Sequence, residues 1–135
     1  MSTTIRTDIQ MRVSDIDMFH HVNNVSQQMY FDLGKRDLYA RMLEADVLTG
    51  ALRIVAAATS NSFIRQVRMG DDLFVTTAVE RIGNKSITLF QQLVAREADG
   101  SEVVKSESRS VMVAFDFERQ ESVPVPAHWR ERLGR

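Results

Sequence analysis

The sequence predicts an α+β domain in which one antiparallel sheet packs around one long helix. Three observations support this: a strand pattern opens the chain, a single long helix pattern follows, and four strand-like segments come after it. Short turns join those segments, and short connections favour antiparallel hairpins. The length of 135 residues suits one domain, which we expect to span residues 1–135.

The first strand is predicted over residues 5–13, where two kinds of side chain alternate. Odd positions, among them Ile5, Ile9 and Val13, are apolar or threonine, and even positions are charged or polar. A period of two with β-branched residues is typical of a half-buried strand. Residues 14–23 are polar and irregular, and they predict a loop.

A helix is predicted from about Asn24 to Leu43, where no proline interrupts and most residues tolerate a helix. Its apolar side chains form a broad surface, with Val25, Met29, Leu33 and Ala40 near one side and Tyr30, Phe31, Leu38 and Met42 extending it. Such coverage predicts a helix packed on several sides. Gly34 costs about 1 kcal/mol relative to alanine, and close approach of a neighbouring element is one reason for a glycine here.

Four further strands are predicted at about residues 53–68, 72–83, 86–97 and 102–117. The turn signals "MGDD", "GNK" and "ADGS" lie between them, so we expect the four strands to follow one another in a meander. The segment "AHWRERL" after the last proline predicts a short terminal helix. A lone sheet of five strands leaves exposed edges, which usually need protection, so a dimer is the expected completion.

Composition excludes several classes of protein. The chain has no cysteine, which excludes disulfides and thiolate nucleophiles. The 17 Lys and Arg residues nearly balance 18 Asp and Glu residues, and the sequence has no basic stripe. We therefore do not expect nucleic acid as a partner. No apolar run approaches the length of about 20 residues that spans a bilayer, and the first ten residues lack the apolar core of a signal peptide. We expect a soluble, cytoplasmic protein without a membrane span.

The most unusual segment is "DIDMFHHVNN", residues 15–24, which places two carboxylates, two histidines and two asparagines directly ahead of the helix. Asn23 is a good helix N-cap. Adjacent residues of an extended segment point in opposite directions, so His20 and His21 rarely reach one metal ion. Because there is also no cysteine and no Gly-rich dinucleotide fingerprint, we expect no metal and no organic cofactor.

Residues 12–36, "RVSDIDMFHHVNNVSQQMYFDLGKR", resemble the opening motif of hot-dog-fold acyl-CoA thioesterases, the 4-hydroxybenzoyl-CoA thioesterase-like family. That motif runs Asp-x-Asp-x-x-Gly-His-Val-Asn-Asn, followed by an aromatic helix with an acidic residue. It falls here on Asp15, Asp17, His21, Val22, Asn23, Asn24, Tyr30 and Asp32. The later segments "MGDDLFV", "GNKSIT" and "VPVPAHW" are also similar, so the resemblance covers nearly the whole chain.

The resemblance implies a hot-dog fold, a five-stranded antiparallel sheet wrapped around one long helix with a short C-terminal helix. It implies an acyl-CoA thioesterase that acts on an acyl-CoA or acyl-carrier-protein thioester as a homodimer or homotetramer. The chain departs from the family pattern in three places. His20 stands where glycine is usual, Gln27 where tyrosine is common, and Lys35 near where arginine is frequent.

Thioester hydrolysis needs a donor that stabilises the developing oxyanion and a group that attacks the carbonyl or activates water. A helix N-terminus offers unpaired N–H groups and a positive dipole end, and the resemblance implies the backbone amide of Asn24 for this role. It implies Asp17 as the catalytic carboxylate, acting as nucleophile or as general base, while loop capping is the structural alternative. Asp15 is expected to shape the loop. His21 is expected to fix the loop, to line the pocket or, as considered for plant acyl-carrier-protein thioesterases, to act in catalysis.

Candidate substrate-binding residues are Asn23, Tyr30, Asp32, Asn61, Phe63 and Lys85. Lys85 follows a turn where related enzymes contact the nucleotide of coenzyme A, and phosphates need cationic partners. The alternatives are structural: helix capping for Asn23, an ion pair for Asp32, strand packing for Asn61 and Phe63, and plain solvation for Lys85.

Two other functions stay open on the sequence alone. One is a non-catalytic module that binds acyl groups or acyl-CoA on the same fold, because a fold does not fix a function. The other is a hot-dog dehydratase or isomerase acting on acyl thioesters, which the hydrolase-like loop disfavours.

Overall fold

A computed structural model describes residues 4–134 of the chain, apart from the side chains of residues 45 and 46. Its main elements are β1 (Thr4–Ile9), α1 (Asn24–Met42), β2 (Leu52–Phe63), β3 (Asp72–Ile82), β4 (Ser86–Arg96), β5 (Glu102–Asp116), β6 (Glu121–Ser122) and α2 (Ala127–Leu133). The strands form one antiparallel sheet in the order β1-β3-β4-β5-β2, with the short β6 beside β5. Helix α1 packs on β1, β3 and β4. This architecture confirms the predicted α+β hot-dog fold with its short C-terminal helix.

The position of β2 corrects the predicted meander. β3, β4 and β5 do follow one another as hairpins, but β2 pairs with β5, with Leu52 opposite Asp116 and Phe63 opposite Ser106. The turn "MGDD" therefore ends a crossover rather than a hairpin. Regular pairing with β5 ends after Phe63, where the amides of Ile64 and Arg65 both donate to the one Lys105 carbonyl. In this strand order β1 and β2 are the two edges of the sheet.

The first strand is shorter than predicted. It ends at Ile9 instead of residue 13, and Val13 lies in a short 3-10 turn where it is 90% exposed. The alternation therefore continues in the sequence beyond the point where β1 stops pairing with β3, whose last partner pair is Ile9 and Leu73.

The buried face of α1 agrees only in part with the predicted apolar surface: Tyr30, Phe31 and Leu38 are buried as expected, and four polar or small residues share their face. Its buried residues recur every four positions as Ser26 and Gln27, Tyr30 and Phe31, Gly34 and Lys35, Leu38 and Tyr39. The predicted stripe of Val25, Met29, Leu33 and Ala40 is exposed instead. Half of the buried positions are Ser, Gln, Gly or Lys, so apolar residues alone do not mark the face that meets the sheet. The prediction that α1 is packed on several sides is therefore wrong for the single chain, in which only one face of the helix is buried.

A polar row crosses the sheet beneath α1. Its members stand opposite one another on four neighbouring strands: Thr77, Gln91, Ser108 and Asn61. Gln91 Nε2 donates to the Phe31 carbonyl at 2.7 Å, and Asn61 Nδ2 donates to Gln28 Oε1 at 2.6 Å. Apolar clusters lie on both sides of this row, one around Phe31, Val75 and Leu93 and one around Leu38, Leu89 and Trp129. The sheet therefore holds the helix by hydrogen bonds as well as by apolar contact.

Gly34 lies against this polar row, as a close approach requires. A Cβ atom there would come within 2.6 Å of Thr77 Oγ1 and 2.9 Å of both Gln91 Nε2 and Val75 Cγ1. Val75 and Thr77 are short and β-branched, so they have little freedom to move aside.

Asp15 joins the loop before α1 to the helix itself. Its carboxylate is fully buried and accepts hydrogen bonds from the Tyr30 hydroxyl at 2.5 Å and from Arg12 Nη2 at 2.8 Å. Its carbonyl accepts the Asn23 amide at 3.0 Å. Burial alone would raise the pKa of this carboxyl, but the hydrogen bonds from Tyr30 and Arg12 outweigh it and lower the pKa from 3.8 to about 2. Asp15 thus shapes the loop, as the sequence predicts.

We expect Gly34→Ala to destabilise the fold although alanine is the better helix former. Overpacking costs about 1–3 kcal/mol, and the gain in helix propensity is about 1 kcal/mol. Urea denaturation measures the change, and Ala40→Gly at an exposed position of α1 serves as the propensity control. A Gly34→Ala variant more stable than the native chain would show that the sheet yields at this contact.

We expect the stabilising effect of Asp15 to depend on pH. Because its native pKa is lowered, the ionised carboxylate stabilises the folded state above pH 3.8, and this contribution is lost as the pH falls through about 2. The difference in unfolding free energy between the native chain and Asp15→Asn should be on the order of 2 kcal/mol near neutral pH and shrink below pH 4. Denaturant titrations between pH 2 and 7 measure it, and a difference that stays constant would contradict the assignment.

Candidate active site

The loop between β1 and α1 is a small, tightly bonded turn. Ile16 pairs with Val22, and the Asp17 amide donates to the His21 carbonyl at 2.9 Å. The loop is also tied to the segment before β3, because the Val22 amide donates to the Val67 carbonyl at 2.8 Å. These backbone bonds fix the loop against the sheet.

His20 keeps the tight turn that glycine usually makes at this position in the family. Its φ of 64° is left-handed, a conformation in which few residues other than glycine occur and in which His is enriched. The side chain is exposed. The substitution of His for glycine is therefore accommodated by the backbone of the loop.

Asp17 uses one carboxylate oxygen for the loop and leaves the other unpaired. Oδ1 accepts the amides of Phe19 at 2.8 Å and His21 at 3.3 Å. Among residues 4–134, no hydrogen bond or ion pair involves Oδ2. Asp17 thus caps the loop through Oδ1, as the structural alternative expects, and Oδ2 remains available to a substrate or a water molecule.

Among the described residues, the start of α1 has two amides without a partner, those of Asn24 and Val25, and of these two residues only Asn24 lines the cleft described below. Asn23 is the N-cap, as predicted, and its Oδ1 accepts the Ser26 amide at 2.8 Å. Its carbonyl accepts the Gln27 amide at 3.1 Å. Within the described part of the chain, the Asn24 amide donates to no other group. Capping therefore fixes the first turn and leaves an N–H at the positive end of the helix dipole.

These groups line one cleft of about 430 Å³. Its lining residues come from the loop, the first turn of α1 and the end of β2: Asp17, Phe19, His21, Val22, Asn23, Asn24, Gln27, Phe63, Ile64, Arg65 and Gln66. Five of the predicted site residues thus meet here, namely Asp17, His21, Asn23, Asn24 and Phe63.

Three other predicted site residues lie outside this cleft, two of them on α1 and one on β2. Tyr30 is buried with its hydroxyl on Asp15, and it borders a second cleft of about 450 Å³ together with Asp32. Asp32 is exposed and accepts hydrogen bonds from Gln28 Nε2 and Lys35 Nζ. Asn61 is bonded to Gln28 beneath the helix. None of the three lines the Asp17 cleft.

Lys85 lies at the opposite end of the sheet. The residue after it, Ser86, pairs with Val113, whereas Phe63 at the cleft pairs with Ser106. Seven residues of strand separate those two positions on β5, which is about 23 Å at the usual rise per residue. A single chain does not bring Lys85 to the cleft.

The cleft contains residues that the sequence did not mark for substrate. Gln27 follows Asn23 by four positions and so shares its side of the helix, a spacing that could have identified it. Ile64 and Arg65 lie within the segment 53–68 that the sequence predicts as strand. They reach the cleft because β2 ends at Phe63, before the predicted end of the strand. Phe19 is an apolar residue of the loop that is 70% exposed.

The described residues hold no group of three or more His, Asp or Glu side chains positioned to bind a metal ion. Over the same part of the chain, neither helix has the length and apolar character to cross a membrane. The expectation that the protein needs no metal stays a prediction.

The arrangement combines the two groups that acyl transfer requires. A carboxylate oxygen without a partner and a helix amide without a partner lie on one cleft with apolar side chains at its rim. Such a site can stabilise negative charge on a carbonyl oxygen and deliver a nucleophile or base to its carbon.

Comparison with solved structures finds the same fold in several thioesterases. A predicted thioesterase from Bacillus stearothermophilus has a TM-score of 0.86 and 30% identity, covering 98% of this chain and 95% of that one. A mutant 4-hydroxybenzoyl CoA thioesterase complexed with 4-hydroxybenzoyl CoA has a TM-score of 0.88 and 15% identity, covering 96% and 98%. A thioesterase from Thermus thermophilus, complexed with coenzyme A and Zn, has a TM-score of 0.82 and 23% identity, covering 95% of both chains.

Comparison with curated proteins found no significant match. Residues 11–133 match the family model of the Thioesterase-like superfamily. That match extends over most of the chain and confirms the resemblance seen in the loop motif. The chain belongs to the thioesterase-like superfamily, whose general chemistry is thioester hydrolysis.

Proposed function

We propose that this protein hydrolyses acyl-CoA thioesters in the Asp17 cleft, with the N-terminus of α1 as its oxyanion hole. The observation that carries the proposal is the shared cleft of Asp17, with its unpaired Oδ2, and the unpaired Asn24 amide. The coenzyme A compounds bound to two structural neighbours support acyl-CoA as the substrate class.

In the proposed reaction, the thioester oxygen accepts a hydrogen bond from the Asn24 amide while negative charge develops on it. Asp17 Oδ2 either attacks the thioester carbon, giving a mixed anhydride that water hydrolyses, or removes a proton from the attacking water. In both routes the carbon–sulfur bond breaks, the coenzyme A thiolate leaves and takes up a proton, and a carboxylic acid is released. The hydrogen bonds from Phe19 and His21 to Oδ1 hold the carboxylate in place.

His21 contributes to this site through its backbone, which brackets Asp17 with one donor and one acceptor. We propose Asn23 as the residue that fixes the oxyanion donor, and Phe63 as an apolar contact for the substrate. Tyr30 acts on the site through Asp15, because its hydroxyl is bonded there.

A binding module on the same fold needs no anionic group on the same cleft as an unpaired helix amide, so the hydrolase accounts for more of the geometry. A dehydratase or isomerase is the weaker alternative because the loop motif matches hydrolases. The cytoplasmic location and the choice between coenzyme A and a carrier protein stay predictions.

We propose a homodimer formed through the β2 edges, in agreement with the expected homodimer or homotetramer. Residues 56–60 of β2 are exposed, and an uncovered edge strand favours pairing with another strand. Two β2 edges related by a two-fold axis run antiparallel, so the cleft end of one sheet lies beside the far end of the other. Lys85 and its turn lie at that far end, and this pairing would let Lys85 bind coenzyme A phosphates in the neighbouring site.

The central prediction concerns Asp17→Asn. Asparagine keeps an oxygen for the Phe19 amide but removes the anionic nucleophile or base, so turnover should fall by at least about 10²-fold. The KM for acyl-CoA should change little because binding depends on other groups. Thiol release from a panel of acyl-CoA substrates measures both constants.

Asp99→Asn is the matched control for that variant. Asp99 also caps a turn through Oδ1, which accepts the Ser101 amide at 2.9 Å, and it does not line the cleft. It should keep native turnover, and both variants should keep a melting temperature near that of the native chain. Native turnover in Asp17→Asn would refute the catalytic assignment, and tight acyl-CoA binding without thiol release by the native chain would favour the binding module.

The dimer is tested by placing a lysine on each edge of the sheet. Ala58→Lys on β2 should convert the sedimenting species to a monomer and lower turnover, because a charged edge opposes strand pairing. Thr4→Lys on β1 should leave the assembly intact. Sedimentation velocity at micromolar concentration measures the assembly, and a native chain that is a fully active monomer would exclude the shared site.

A further inference from the structure

Gln27 has a hydrogen-bonding group that the protein leaves unpaired at the cleft. The residue lies in the first turn of α1, is 5% exposed and lines the Asp17 cleft. Its Nε2 donates to the Val22 carbonyl at 3.3 Å. Its Oε1 is buried and has no partner among the described residues, and no other residue that lines this cleft has such an atom.

The orientation of this carboxamide follows from its neighbours. Turning the amide over would place Oε1 against the Val22 carbonyl oxygen, and two acceptors cannot form a hydrogen bond. Oε1 is therefore the group that remains for another partner. A buried acceptor without a donor is destabilising, because the water that it loses on burial is not replaced.

The surroundings of Gln27 favour a polar partner over an aliphatic one. The neighbouring Gln28 is bonded to Asn61, and Phe31, one turn further along α1, has its carbonyl bonded to Gln91. These bonds belong to the polar row beneath the helix, which does not line the cleft. Helix α1 and its cap contribute Asn23, Asn24 and Gln27 to the cleft, and all three carry a carboxamide. The apolar lining residues are Phe19, Phe63 and Ile64, which are exposed, and Val22, which is buried. The helix side of the cleft therefore offers hydrogen-bonding groups.

We propose that Gln27 selects acyl groups that carry a hydrogen-bond donor, with Oε1 accepting a hydroxyl of the acyl chain. This inference rests on the proposed thioesterase function and adds the class of acyl group to it. A substrate hydroxyl would supply the donor that the described residues lack, and an unsubstituted acyl group would leave Oε1 unpaired. Discrimination against an analogue that lacks a hydroxyl is strongest where the protein acceptor is buried.

Two other donors could occupy Oε1, and each has a different kinetic effect. A water molecule held for attack, or an N–H of the pantetheine arm of coenzyme A, is present for every acyl group. Removing Oε1 would then change the rates of all substrates alike. Only a donor on the acyl group makes the effect depend on which acyl-CoA is used.

The experiment compares kcat/KM for butanoyl-CoA and its 2-, 3- and 4-hydroxy derivatives in three proteins. These are the native chain, Gln27→Met, and Gln28→Met as the matched control, because Gln28 is an adjacent glutamine that does not line the cleft. The native chain should prefer one hydroxylated substrate by about 10-fold or more, the effect of one well-formed buried hydrogen bond. Gln27→Met should reduce that ratio to about 1, and Gln28→Met should keep it.

A native chain without preference, or a preference that survives in Gln27→Met, would overturn the inference while leaving the hydrolase intact. Equal rate losses on all four substrates would overturn it in favour of water or pantetheine. Calorimetric binding of non-hydrolysable butyl and hydroxybutyl thioethers of coenzyme A gives a second readout. If no substrate is hydrolysed, the proposed function fails. The ratio of the affinities for the hydroxybutyl and butyl thioethers, compared between the native chain and Gln27→Met, still decides the role of Gln27.

Discussion

The buried carboxylate of Asp15 is the contact on which the geometry of the site depends. It binds Arg12 from the chain that enters the loop and Tyr30 from the middle of α1, and its own carbonyl holds the Asn23 amide at the start of that helix. A charge taken out of water must be fully paired to be tolerated. These bonds therefore fix the loop in one position relative to the helix. Asp17 lies on that loop and Asn24 at the start of that helix, so the same bonds fix their relative placement.

The site reconciles two opposed demands on its polar groups. A reactive group must be unpaired, whereas a group placed with accuracy must be held by bonds. Asp17 divides these demands between its two oxygens, and the first turn of α1 divides them between its amides, since the Ser26 amide is bonded to Asn23 whereas the Asn24 amide is unpaired. Gln27 repeats the division within one carboxamide, with a bonded nitrogen and an unpaired oxygen.

Local signals in the sequence predict much of this fold and of this site. Helix α1, the Asn23 cap and the hairpins from β3 to β5 follow from capping, periodicity and turn residues. The place of β2 does not, because a crossover and a hairpin can end in the same "MGDD" turn. The buried face of α1 is predicted only in part, because Ser26, Gln27 and Lys35 share it with the predicted aromatic and leucine residues, and polar residues give no apolar signal. The remote position of Lys85 depends on strand register, which a local pattern does not encode.

The outward apolar stripe of α1 has a consequence for the order of folding. A helix of 19 residues is marginal by itself in water, and the most continuous apolar row on this one, Val25, Met29 and Leu33, faces away from the sheet. The helix therefore cannot recruit the sheet by apolar attraction along that row. It must wait for β3 and β4, made later during synthesis, to present the surface where Tyr30, Phe31 and Leu38 dock. During that interval the nascent chain exposes the apolar row of this helix, and exposed apolar surface favours aggregation of incompletely folded chains.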